Sequence, residues 1–321
     1  MLPNFAYIRA RSKQEALDNL ASQGAYVHAG GTDLLGCARD EVFEVEKLVS
    51  ISRLEELKGI TYAHEGGIRI GALTTISEIA ASAVIRESYP GLAQAASDVA
   101  SPQLRNQGTL GGNLCQRPRC WYFRGDFHCA KKGGDMCYAV EGENRYHAIF
   151  GGDPCYIVHP SDTAPMLVAL GAEVRISGTR GERSMALEDF FVLPDQDLER
   201  ENVLQQGEIV TEVALPAASG VKSSYRKVRE RGAWDFALVS VALAVRLSGS
   251  TVAEARVVLG GVAPAPWRSA AAEAALIGKE PTPSVAAAVA AAAVAGAQPL
   301  EQNAYKVLLA KGALMESLVA L

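Results

Sequence analysis

The chain has 321 residues, 49% of them hydrophobic and 21% charged, with a formal net charge of −5. That length allows two domains, or one large and one smaller domain, and the apolar fraction excludes a disordered chain. The acidic balance and the lack of a long basic run argue against nucleic acid as the main partner.

The opening stretch, MLPNFAYIRARSKQEALDNL, has no apolar signal-type core, which predicts a cytoplasmic chain unless a signal-bearing partner exports it. Within it SKQEALDNLASQ has helical spacing, with Ser12 placed to cap and Glu15 three positions on. AYVHAGG reads as a strand running into a glycine turn, TDLLGCARD as a helix and KLVSIS as a strand. GIRIGAL (67–73) follows as a strand, then TTISEIAAS as a capped helix and YPGLAQAASDVAS with helical period. From 116 to about 156 the periodicity stops, and Gly, Cys, Arg and aromatic residues dominate. So long a structureless run inside a compact domain reads as a functional insertion.

Regular patterns resume with a helix and strand in TAPMLVALGAEVRI and an alternating strand in GEIVTEVALP. ASGVKSS reads as a linker, which sets a domain boundary near 218. SYRKVRERGAWDFALVSVALAVRLSG and TVAEARVVLGGVA read as strands of an antiparallel sheet. The Ala-rich SVAAAVAAAAVAGA and the final NAYKVLLAKGALMESLVAL read as helices. The Ala-rich tract is too short and too weakly apolar to span a bilayer.

Two glycine segments stand out. HAGGTDLL puts Gly30 and Gly31 between a strand and a helix start, with Thr32 or Asp33 able to cap the helix. QGTLGGN offers Gly108, Gly111 and Gly112 beside Thr109 and Asn113. Bare backbone at such places lets an anion reach the N–H groups of a helix start. A lone Gly-Gly is more often a plain turn. Neither segment matches G-x-G-x-x-G, and the chain has no P-loop sequence, so neither a Rossmann nor a P-loop site is supported. Two such loops from separate parts of a fold could hold the two phosphates of one pyrophosphate.

Six cysteines stand at 37, 115, 120, 129, 137 and 155, five of them within 41 residues. In a reducing compartment that clustering favours metal over disulfides. Cys120, Cys129, Cys137 and Cys155 lack the C-x2–4-C knuckle usual in structural zinc sites, yet loop thiolates could still surround zinc. Iron–sulfur clusters tolerate wider spacing. Arg117, Arg119, Arg124, Lys131 and Lys132 could offset a cluster's negative charge. Cys37, inside a predicted helix, reads as a small buried hydrophobe, and Cys115 as structural. Trp121, Tyr122 and Phe123 read as packing for the insertion. The histidines at 28, 64, 128, 147 and 159 form no ligand pair; His128, beside Cys129, is the one weak candidate. No nucleophile–base arrangement is visible.

Taken in order, AGGTDLL, TLGGN, HPSD and YRKVRERGAWDFALVSVA resemble the FAD-binding medium subunit of the xanthine dehydrogenase family of molybdenum hydroxylases. The resemblance runs from about residue 3 to the C-terminal helices. The cysteine insertion resembles the minority of these subunits that bind a [4Fe-4S] cluster, those of 4-hydroxybenzoyl-CoA reductase and of bacterial molybdenum aldehyde dehydrogenases. GENRYHAI and HPSD are closer to the aldehyde dehydrogenase type.

The resemblance implies an α+β chain: a two-part α/β FAD-binding domain (1–218, with the insertion at about 116–156), then a smaller α+β domain (219–321) with an antiparallel sheet and helices. It implies that Ala29, Gly30, Gly31, Thr32, Asp33, Leu34 and Leu35 form the first FAD pyrophosphate loop. Thr109, Leu110, Gly111, Gly112 and Asn113 form the second. Asp162 matches an acidic FAD contact, though a helix cap would suit it as well, and Lys227 a basic one, though it could be an exposed strand residue. Cys120, Cys129, Cys137 and Cys155 match the cluster ligands. The implied partners are a large molybdenum-cofactor subunit, a small subunit with two [2Fe-2S] clusters and an external electron acceptor or donor. The implied activity is electron transfer through FAD, for aldehyde or aromatic substrate oxidation or for a reductive dehydroxylase. A stand-alone flavoenzyme and a zinc-stapled binding module are the competing readings.

Overall fold

The computed structural model describes residues 1–63 and 66–321, so His64 lies outside the described residues. Three sheets organise the described residues. The first is parallel: Lys47–Ser50 runs between Ala6–Arg9 and Ala25–His28. The helix Lys13–Leu20 begins where Ser12 Oγ accepts the Glu15 N–H at 3.2 Å, and it buries Ala16, Leu17 and Leu20 against this sheet. After His28 the backbone turns through Gly30 and Gly31 into the helix Leu34–Arg39, which buries Cys37.

The second sheet is antiparallel and centred on Ile209–Leu215, flanked on one side by Ile68–Gly71 and Ile60–Tyr62 and on the other by Glu173–Gly178 and Gly181–Ala186. The helix Ile76–Ala81 starts with a complete capping box. Thr75 Oγ1 accepts the Glu78 N–H, and Glu78 Oε2 accepts the Thr75 N–H at 2.7 Å. The helical period of YPGLAQAASDVAS is realised only over Pro90–Ser97. Two short helices then follow, Pro102–Gln107 and Leu110–Leu114.

The third sheet has the order Trp267–Arg268, Thr251–Gly260, Val239–Ser248, Val221–Val228. Successive side chains of a strand point to opposite faces. Val241, Leu243 and Val245 therefore pack on the helices Ala270–Leu276, Pro283–Val294 and Tyr305–Val319, while Ala242 and Ala244 face the core of the preceding domain. With both faces covered, the sequence VSVALAV is almost wholly apolar instead of alternating. Burying Leu243 alone contributes about 1.5–3 kcal/mol.

One expectation fails here. The second half of ASGVKSS is strand, because Val221–Ser224 pairs with Leu243–Arg246. Its serines are sites of close packing: Ser223 Oγ accepts the Gly91 N–H at 3.1 Å, and a Cβ on Gly91 would lie 3.0 Å from Ser224 N. Small polar residues at a helix–strand contact mimic a linker in composition.

The cysteine insertion contains only a short helix, Trp121–Arg124, and a 3-10 turn, Ala130–Lys132. Side-chain bonds fasten it to the C-terminal domain. The Asn144 N–H donates to Gln302 Oε1 at 3.2 Å, and the Gln302 N–H donates to Asn144 Oδ1 at 3.0 Å. Lys306, wholly buried, donates to the carbonyls of Tyr146, His147 and Gly261 at 2.7–3.0 Å. No helix among the described residues is long and apolar enough to cross a membrane.

Candidate functional site

The two glycine segments meet. A Cβ on Gly30 would lie 1.9 Å from the Gln107 carbonyl oxygen, so only glycine permits this approach, and Gly31 has φ +71°. Thr109 Oγ1 accepts the Gly112 N–H at 3.3 Å and starts the helix Leu110–Leu114. The second glycine segment is thus the first turn of a helix, not a free turn, because Thr109 caps it.

Cavities lie on both sides of this junction. One, of about 240 Å3, is lined by Ala29, Gly30, Gly31, Leu34 and Cys115. The other, of about 270 Å3, is lined by Asn113, Asp162 and Phe236. Thr32, Asp33, Thr109 and Gly112 line both. The pair forms a two-lobed space with exposed backbone at its waist, the shape that a dinucleotide with a central pyrophosphate requires. Leu35 and Leu110 line neither lobe; their side chains lie against separate apolar cores.

Asp33 does not cap its helix through its side chain. Its carboxylate turns to the insertion, accepting the Arg117 N–H at 2.7 Å and pairing with Arg119 and with Arg124, the latter at 2.7 Å. Burial alone would raise its pKa. The two guanidiniums outweigh that and hold it below the usual carboxylate range. Arg119 and Arg124 are therefore committed to Asp33. Arg117 and the buried Lys131 pair with Glu201 at 2.7 and 2.8 Å, and Lys132 bonds the Gly125 carbonyl.

Asp162 is buried, and its side chain caps no helix; Ser161 Oγ accepts the Ala164 N–H instead. Its carboxylate accepts the Tyr225 hydroxyl and the Lys227 ammonium, each at 2.7 Å. Burial pulls the Asp162 pKa up, against the opposing pull of Lys227 and Tyr225. The Lys227 side chain is 1% exposed, so it is not a solvated strand residue, and it lines neither lobe itself. Beside this pair, Asn113 Oδ1 accepts the hydroxyls of Ser161 and Thr163, which ties the second glycine segment to the start of the helix Thr163–Ala169.

Cys120, Cys129, Cys137 and Cys155, far apart in sequence, line one small chamber of about 10 Å3 together with Lys131 and His147. A hydrogen bond from Cys155 pulls the Cys137 thiol down to about 6, while that same bond and burial push Cys155 up. Burial pushes Cys120 up to about 11. Cys115 faces the first lobe instead, and burial raises its thiol to about 12. His147 Nε2 lies 3.3 Å from Cys120 Sγ. His128 is exposed and lines none of these cavities, so His147 is the histidine at the thiols. Nothing in the sequence separates the two, since only the folded insertion brings residue 147 beside residue 120. Among the described residues, no three His, Cys, Asp or Glu side chains are grouped to hold a single ion.

A larger cavity of about 520 Å3 joins these parts. It shares Arg119, Arg231 and Phe236 with the second lobe, and Cys120 and His147 with the thiol chamber. Trp121 and Tyr146 complete its aromatic wall, meeting edge to face at 6.0 Å. Phe123 is buried and Tyr122 stacks on Tyr138, so these two pack the insertion as expected, whereas Trp121 is exposed.

The fold and the two-lobed site define a flavin-carrying oxidoreductase subunit. Residues 3–218 match the family described as FAD binding domain in molybdopterin dehydrogenase, and residues 223–320 the CO dehydrogenase flavoprotein C-terminal domain. The chain belongs to this family of FAD-binding medium subunits of molybdenum hydroxylases. It is 40% identical to the aldehyde oxidoreductase FAD-binding subunit PaoB of Escherichia coli, over 96% of this chain and 95% of that one. It is 31% identical to the glyceraldehyde dehydrogenase medium chain of Sulfolobus acidocaldarius, over 87% and 83%. Among solved structures it is similar to a carbon monoxide dehydrogenase from Hydrogenophaga pseudoflava lacking the Mo-pyranopterin moiety of its molybdenum cofactor. The TM-score is 0.78 at 29% identity, covering 98% and 96% of the two chains.

Proposed function

We propose that this chain is the electron-transfer subunit of a heterotrimeric molybdenum hydroxylase acting on aldehydes, and that its insertion holds a [4Fe-4S] cluster beside the FAD. A large molybdenum-cofactor subunit would carry the substrate chemistry, and a small subunit with two [2Fe-2S] clusters would pass electrons to this chain. The 40% identity to an aldehyde oxidoreductase subunit supports the substrate class. A reductive dehydroxylase remains the second reading, favoured only by the resemblance of the insertion.

The observation that carries the cluster is the convergence of four thiols on one chamber. A zinc ion bound at about 2.3 Å would draw four thiolates to roughly 3.8 Å from one another. A cubane spreads its four thiolates over a larger body. On this reading Lys131, which lines the chamber, faces its negative charge.

In this proposal Ala29–Leu35 and Thr109–Asn113 surround the pyrophosphate of FAD, with Gly30, Gly31 and Gly111 lining the first lobe and the exposed Gly112 at the waist. Leu35 and Leu110 act by packing these segments. Asp162, fixed by Lys227 and Tyr225, forms part of the wall of the second lobe. FAD supplies the exchange between one-electron and two-electron carriers, and the protein orients it. The residues contribute no acid–base step.

Elemental and flavin analysis of the purified chain tests this. The expectation is one FAD and about four irons, and Cys129→Ser should lose the iron while keeping the flavin. One zinc and no iron would sink the cluster. Turnover of a small organic substrate by the chain alone would favour a stand-alone flavoenzyme.

A further inference from the structure

We propose that His147 is a positioning residue that donates its Nε2–H to the Cys120 thiolate and so raises the reduction potential of the cluster. The inference rests on the [4Fe-4S] reading above.

Three observations carry it. First, the geometry is that of a hydrogen bond to sulfur, with 3.3 Å between Nε2 and Sγ and the ring buried in the chamber wall.

Second, the ring has only one useful direction. His147 Nδ1 is buried without a partner. The single proton of a neutral imidazole therefore belongs on Nε2, where sulfur can accept it. A proton on Nδ1 would leave a buried donor unsatisfied and point a lone pair at a thiolate.

Third, the backbone that carries the ring is held by the other domain and by the insertion itself. The His147 carbonyl accepts the Lys306 ammonium at 3.0 Å and the Asn303 amide at 3.1 Å, and the His147 N–H donates to the Asn144 carbonyl at 2.9 Å. Asn144 is in turn clamped to Gln302. These bonds fix the point of the backbone from which the ring reaches the sulfur.

The direction of the effect follows from charge. Reduction adds one electron to an already anionic cluster, most of it felt at the sulfurs. A hydrogen bond to sulfur strengthens as that charge grows, so it stabilises the reduced form more than the oxidised one. His147 and Cys120 also line the 520 Å3 cavity. The tuned sulfur is thus the one that separates the chamber from the space adjoining the second flavin lobe.

The test compares wild type, His147→Leu and His147→Gln as full chains with the subunits that co-purify. Iron content is measured first. The cluster midpoint potential is then read by electron paramagnetic resonance during redox titration, and the flavin potential by absorbance. The expected result is unchanged iron and flavin in both variants. His147→Leu should lower the one-electron equilibrium constant for cluster reduction roughly tenfold, about 59 mV. His147→Gln, which retains an N–H donor, should recover at least half of that shift, with the flavin potential unmoved. Iron retained in His147→Leu with the wild-type potential overturns the proposal and leaves the cluster reading standing. Loss of iron from both variants also overturns it, because the ring would then hold the cluster instead of tuning it. A wild-type chain without iron removes the cluster reading, and this inference with it.

Discussion

The buried Asp162–Lys227 pair gives the sharpest stability test. Lys227→Met keeps the length and the apolar stem of the side chain but removes the ammonium. Each Asp162 oxygen has one partner at 2.7 Å, and Lys227 Nζ also reaches the Asp98 carbonyl at 3.0 Å. The substitution leaves a buried carboxylate with Tyr225 alone. Breaking such a pair from one side costs about 3–5 kcal/mol. At roughly 2–4 °C per kcal/mol for a domain of this size, the melting temperature should fall by about 6–20 °C. Burial already pulls the Asp162 pKa up, and without Lys227 nothing cationic opposes it. A carboxyl whose pKa is raised on folding binds its proton more readily folded than unfolded, so its stability term is lost as pH rises. The deficit of Lys227→Met should therefore be smaller at pH 5 than at pH 8. Adding Asp162→Asn removes the stranded charge and should restore at least half of the loss. Thermal melts of the FAD-loaded chain, followed by far-ultraviolet circular dichroism and by flavin release, read all three effects. A Lys227→Met midpoint within about 2 °C of wild type, or a double variant no better than the single one, would refute the reasoning.

Two further expectations follow from the glycine junction and its neighbour. Gly30→Ala places a methyl 1.9 Å from the Gln107 oxygen, so the two segments must part; the chain should purify with less than a tenth of the wild-type FAD, measured by absorbance. For Asp33, whose pKa is lowered on folding, the unfolded chain binds more protons as pH falls through the ordinary carboxylate range, so this contribution is present above that range and lost below it. Asp33→Asn should be less stable than wild type by about 2 kcal/mol at pH 7, and in urea titrations the gap should narrow as pH falls below the ordinary carboxylate range towards the lowered pKa of folded Asp33.

Local signals in the sequence were strong wherever one side chain serves its own backbone. Ser12 and the Thr75–Glu78 box cap their helices as the spacing predicts. The alternation in GEIVTEVALP marks the central strand of the second sheet. Signals failed where a polar residue serves something distant. Asp33 stands at a helix start, yet its carboxylate is drawn to arginines more than 80 residues away. Asp162 carries an equally plausible capping pattern and instead anchors Lys227. Lys227 could pass for an exposed strand residue but is buried against Asp162, and Lys131 and Lys306 are buried against Glu201 and against carbonyls with no local signal to mark it. The glycine segments and the four cysteines were legible as groups by composition and spacing. The role of His147 was not, since nothing local distinguishes it from His128.

The bonds from Gln302 and Lys306 to the insertion also set an order of events during synthesis. Residues 120–155 leave the ribosome long before residues 302–306, so the segment carrying the four cysteines has no fixed back wall while the chain is being made. The thiols gain the back wall formed by Gln302 and Lys306 only after the C-terminal segment has docked. Any group they hold is therefore either inserted after translation or delivered to a loop that is still open.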